Sequence, residues 1–152
     1  MQLSEHFTLD ELVRSQVALR TDLDNVPNHE QTEHLHRLCE LLLEPARHAL
    51  GIPLHIDSGF RSPLVNAATG GSINSAHMDG RAADVLTIGL PELAAFHILR
   101  ATDLPFDQII FECATWIHLA IALPGVAPRR EAEIATRAPP GDPRRWIYTR
   151  VS

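Results

Sequence analysis

The sequence predicts an α+β fold, with helices concentrated in the first third and a mainly antiparallel sheet built from later segments. Three observations carry this. Leu35, Leu38, Leu42, Ala46 and Ala49 recur at spacings of three and four between residues 29 and 50, the period of an amphipathic helix. Short alternating or apolar runs at 53–57, 81–87, 107–112 and 116–122 have the length and period of strands. Only Cys113, Ala114 and Thr115 separate the last two runs, which marks a hairpin.

Each element has its own signal. Residues 7–14 suggest a short helix, with Thr8 three positions before Glu11, the spacing of a capping box. Residues 20–28 are turn-rich and lead through Pro27 and Asn28 into the long helix, which Gly51 stops. Pro45 lies inside it and should kink or split it, because proline has no N–H for the carbonyl one turn back. The stretch from Ser58 to Ala76 is rich in Gly, Ser and Asn and reads as a loop. Pro91 should open a helix with Leu93, Phe96 and Leu99 on about one face. Beyond Pro124 the chain is rich in Pro and Arg, with weak strands at 131–136 and 146–151.

At 152 residues and 45% hydrophobic the chain is expected to form one domain over 1–152, with a core that needs no disulfides. Cys39 and Cys113 are its two cysteines, and both read as free thiols. The start, MQLSEHFTLDELV, lacks the basic and apolar stretches of a secretory signal, and no apolar run is long enough to span a membrane. The expectation is a chain made in the cytoplasm that leaves it, if at all, through a separate pore. Net charge is −6, yet residues 125–152 hold six arginines against Glu131, Glu133 and Asp142, a local net of +3. An acidic chain without aromatic residues interleaved among its cations is a poor nucleic-acid binder, so those arginines read as surface decoration. Nothing demands more than a monomer.

The chemistry concentrates in Ser75, His77, Gly80, Ala82 and Asp84. An imidazole and a carboxylate are good zinc ligands, and a loop running into a strand can aim both at one point, with Gly80 allowing the turn between them. His118, in the second hairpin strand, supplies a third ligand, and the fourth position stays open for water. Glu112, on the facing strand, is placed as general base. Arg61 could hold a substrate carboxylate or a developing oxyanion, or simply pair with Asp57. Ser75 either hydrogen-bonds the loop or contacts substrate, and Trp116 reads as a wall of the cleft. His29 and His34 are five apart and miss a common helix face, so with His36 and His48 they read as a solvated surface. Cys113 adjoins Glu112, but neighbouring strand residues face opposite ways, which argues against a thiol nucleophile.

Residues 58–85, SGFRSPLVNAATGGSINSAHMDGRAADV, resemble the core of the zinc D-Ala-D-Ala carboxypeptidases and phage L-alanyl-D-glutamate endopeptidases. That group also includes VanX-type dipeptidases and the Hedgehog amino-terminal domain. Its motif S-x-H-x-x-G-x-A-x-D falls on Ser75, His77, Gly80, Ala82 and Asp84, and its later Glu and W-x-H fall on Glu112, Trp116 and His118. With the FTLDEL start and the helix begun by Pro27 and Asn28, the likeness extends over residues 7–122, closest to the small phage-type branch. It implies a sheet with helices packed on one side, one zinc ion on His77, Asp84 and His118, and Glu112 as base. It further implies a peptidoglycan stem peptide as substrate, contacted by Arg61, Ser75 and Trp116. The Hedgehog-type branch suggests the alternative of a non-catalytic wall-binding module, and the VanX-type branch an intracellular D-Ala-D-Ala dipeptidase.

Overall fold

Thr8 begins the first regular element in the way its spacing from Glu11 requires. The computed structural model describes residues 1–152, and in it helix α1 (Leu9–Val13) carries a complete capping box between Thr8 and Glu11. Helix α2 (Gln16–Thr21) follows within residues that read as turns. It has six residues and a single buried one, Ala18, too little for a periodic signal. Ser15 caps it, its hydroxyl accepting the Ala18 N–H at 3.1 Å.

The long helix is one rod in three parts. Helix α3 (His29–Leu38) starts at Asn28, which exchanges hydrogen bonds with Gln31 in a second capping box. A wider turn over Cys39–Leu43 comes next, in which the Glu44 N–H reaches back five residues to the Cys39 carbonyl. Helix α4 (Glu44–Leu50) closes the rod at Gly51, whose φ of +67° ends it in a left-handed cap. Pro45 therefore neither breaks nor sharply ends the rod, because the π-type turn accommodates it. Leu35, Leu38, Leu42 and Ala46 are completely buried. Ala49 is exposed, because the extra residue in the wide turn rotates the face that follows it.

Strands β1 (Leu54–Ser58), β2 (Ala82–Thr87), β3 (Phe106–Glu112), β4 (Trp116–Ile121), β5 (Glu131–Arg137) and β6 (Trp146–Arg150) form one six-stranded sheet in the order β1-β2-β4-β3-β5-β6. All neighbours are antiparallel except β3 and β5. Helix α5 (Pro63–Ala68) lies inside the stretch that read as loop. Ser62 as cap and Pro63 at the first helical position were its local signal. Helix α6 (Glu92–Arg100) has Pro91 as its cap and buries Ala95, Phe96 and Leu99, whereas Leu93 turns outward, 42% exposed.

Alternation along the strands divides the sheet into two functions. Ala83, Val85, Ile109, Ile117, Leu119 and Ile121 join Leu35, Leu38, Leu42, Phe96 and Leu99 in one apolar core. Asp84, Ile110, Glu112, His118 and Ala120 point the other way. The long rod and α6 thus cover one face and leave the opposite face for chemistry. Each fully buried leucine on the covered face contributes about 1.5–3 kcal/mol. No helix is long and apolar enough to cross a membrane.

Leu38 is completely buried in the helical core, so Leu38→Ala should cost about 2–5 kcal/mol of stability through its cavity. Urea unfolding should show that loss, and metal affinity measured under native conditions should not change.

Candidate metal centre

Position on the polar face begins with backbone register. Asp84 on β2 lies directly opposite His118 on β4, and such cross-strand pairs have their side chains side by side. His77 comes from outside the sheet, in a single tight turn over Ala76–Asp79 that Ser75 caps and Gly80 ends at φ +73°. A Cβ at Gly80 would strike the Gln31 carbonyl on α3, so both the conformation and the close approach require glycine.

Other contacts press this turn into place. The Gln31 amide donates to the Met78 carbonyl at 2.9 Å, and the His34 Nδ1 lies 2.8 Å from the Asp79 carbonyl. His34 is therefore buried, 7% exposed, which corrects its reading as solvated helix surface; His29 and His48 are exposed and His36 is partly so. Its side chain fills the space between α3 and the turn, a tertiary contact that helical spacing does not reveal. Gly59 approaches the α1 end so closely that a Cβ there would meet the Leu12 carbonyl. Its own carbonyl lies 2.7 Å from His77 Nδ1.

Three ligand atoms meet at the centre of the face. His77 Nε2 lies 3.2 Å from His118 Nδ1 and 3.2 Å from Asp84 Oδ1, and His118 Nδ1 lies 2.9 Å from Asp84 Oδ1. All three residues are buried. The Gly59 carbonyl places the His77 ring proton on Nδ1, so Nε2 presents a bare lone pair. Burial pushes His77 toward its neutral form, against the pull of Asp84. The Asp84 carboxylate, although burial opposes its charge, is held well below the usual carboxylate range by His77 and His118. His118 Nδ1 has at most one proton to share between two acceptors, so lone pairs face each other across the triangle. A divalent cation is what such a donor set accommodates. Zinc bonds of about 2.0–2.1 Å in a tetrahedron put ligand atoms about 3.3 Å apart, close to the separations seen here.

Arg61 has its Nη2 on Asp84 Oδ2 at 2.5 Å and its Nε on Ser58 Oγ at 2.9 Å. Its guanidinium thus engages the carboxylate oxygen that faces away from the imidazoles, and Asp57 is not its partner. Ser75 accepts the His77 N–H at 3.4 Å as part of the turn. Glu112 is opposite Trp116, and Ile110 is opposite His118, so Glu112 reaches the centre diagonally. The Trp116 indole N–H donates to Glu112 Oε2 at 3.1 Å. Burial, then the charge of Asp84, push the Glu112 pKa up, while His118 and the indole hydrogen bond pull it down. Cys113 sits in the hairpin turn at φ +55°, and burial followed by the Glu112 charge keeps its thiol protonated. Gly59, Gln31 and His34 were missing from the sequence reading of the site, and only Gly59 had a signal, its place between Ser58 and Arg61.

A buried His-Asp-His group on the open face of an α+β sheet, with a carboxylate one strand away, defines a metallopeptidase type of centre. The peptidase M15 family model matches residues 5–120, and the chain belongs to that family. No curated protein matches the chain closely enough to count as a relative.

Removing the guanidinium leaves Asp84 buried with one oxygen unpartnered. Arg61→Ala should therefore weaken metal binding about 10- to 100-fold, read by competition with a chromogenic chelator; unchanged affinity would show that Arg61 does not orient the ligand.

Proposed function

We propose that this chain is a zinc peptidase that hydrolyses an amide bond in peptidoglycan stem peptides, acting as a monomer. One observation carries the reading: Glu112, held by the Trp116 indole, shares a sheet face with the converging His77, Asp84 and His118. Two imidazoles and a carboxylate suit zinc among the divalent metals, and three protein ligands leave a position for water or substrate. A cation held there polarises the peptide carbonyl and acidifies water.

The chain's own groups supply the rest. The indole occupies Oε2 of Glu112, so Oε1 is free to take a proton from attacking water and deliver it to the departing amine. A carboxylate whose pKa is raised is a stronger base, and takes that proton from water more readily than an ordinary glutamate does. Arg61 fixes Asp84 through Nη2 and Ser58 through Nε, and its other N–H groups are donors toward a substrate carboxylate. Ser75 keeps the His77 turn closed, and Trp116 serves the site through Glu112.

Purified sacculi digested with the zinc-loaded chain should release new amine termini, and mass spectrometry of the fragments assigns the bond. Glu112→Gln should keep zinc and lose at least about 100-fold in turnover. Binding to sacculi without new amines would favour a non-catalytic wall module, and cleavage of free D-Ala-D-Ala alone would favour a dipeptidase.

The pH profile gives a second test. Hydrolysis requires ionised Glu112, so activity falls as pH drops through the Glu112 pKa, which lies above that of an ordinary glutamate. The indole hydrogen bond lowers that pKa. Trp116→Phe should therefore move the acidic limb to higher pH, and a limb that stays in place would remove Trp116 from this role.

A further inference from the structure

The polar face of the sheet extends beyond the segment that the family model covers. That match ends at residue 120, yet β5 lies parallel on β3 and β6 antiparallel on β5. Register carries a single row across these strands. Trp116 is opposite Glu112, Glu112 opposite Ala135, and Ala135 opposite Tyr148. Directly paired residues share a face, so Tyr148 stands on the same side as the metal group. The reverse side confirms the alternation, because Ala132, Ile134 and Val151 pack with the helical core.

The residues between them bring Tyr148 and Glu112 together. Ala135 is 2% exposed although it carries only a methyl group and lies outside the helical core. Its row neighbours are the larger Glu112 and Tyr148. Two strand spacings separate their backbones by about 10 Å, a gap that a glutamate and a tyrosine narrow from both ends. Tyr148 is itself 49% exposed, so the ring lines a surface and is not locked in the core. Burial, then the charges of Glu112, Cys113, Glu133 and Asp84, push its phenol pKa up, which keeps the hydroxyl a donor at neutral pH.

A second contact shows that this side is a wall. The Arg145 guanidinium, just ahead of β6, occupies the space where Gly70 would carry a Cβ. Gly70 belongs to the loop between α5 and the His77 turn. The approach to β6 and the loop leading to His77 therefore meet, and the polar face between them is bounded on the β6 side.

We propose that Tyr148 is a substrate-contacting residue, its phenol O–H donating to a backbone carbonyl of the peptide on the side from which the amine departs. The assignment of side follows from Glu112, which lies between Tyr148 and the metal ligands and delivers the proton to that amine. This inference rests on the peptidase reading above and extends it to a strand outside the family match.

The chain has one tyrosine, so the ultraviolet absorbance of tyrosinate reports Tyr148 alone. In zinc-loaded protein freed of excess metal, the Tyr148 titration midpoint should fall in Glu112→Gln, because a negative charge beside the phenol is removed. Coincident midpoints would overturn the shared cleft. Tyr148→Phe keeps the ring and should lower kcat/KM on soluble stem peptides about five- to ten-fold, the effect of one neutral hydrogen bond, at unchanged zinc content. An active wild type matched by Tyr148→Phe overturns this role alone. A zinc-loaded wild type that cleaves no stem peptide overturns the peptidase reading and this role together.

Discussion

The antiparallel register of β2 against β4 is the constraint on which the site depends, because it alone sets Asp84 beside His118. A slip of one residue would put Asp84 and His118 on opposite faces, sending one of them into the helical core and bringing out either Ala83 and Val85 or Ile117 and Leu119. The apolar packing of those four residues therefore holds the ligand pair on the correct face. Core stability and site geometry are in this sense one property of the sheet.

Burying a carboxylate between two imidazoles is costly unless its charge is answered. Asp84 is answered on both oxygens, by Arg61 on one and by His118 on the other. His77 is answered separately, through the Gly59 carbonyl, and its turn is pressed down by Gln31 and His34 from α3. The long rod thus acts twice, packing the back of the sheet with its leucines and steadying the third ligand with its polar first turns. Glu112 stands outside this rigid group on the next strand, with its orientation set by the Trp116 indole.

Much of this was legible in the sequence because strong local signals agreed with the tertiary structure. The capping residues Thr8 and Asn28, the glycine stops at Gly51 and Gly80, and the hairpin around Cys113 and Ala114 are each determined by chemistry within a few residues. The family motif likewise brought together residues that are far apart in the chain. What escaped the sequence was non-local or too short to be periodic. Helix α2 buries one residue, and α5 lay in a composition that resembles loop. The wide turn at Cys39–Leu43 shifted Ala49 to solvent, and the parallel pairing of β3 with β5 has no sequence signature of its own. The indole bond to Glu112 and the placement of Arg61 on Asp84 follow from register and from a loop path, neither of which spacing encodes.

Titrating zinc into the metal-free chain, with calorimetry and elemental analysis of the product, tests most directly whether the buried triangle is a metal site. One ion per chain should bind with release of protons and be lost when His118 is replaced by alanine. Failure of the wild-type chain to bind zinc saturably, or equal binding by that variant, would contradict the metal-centred reading of the fold.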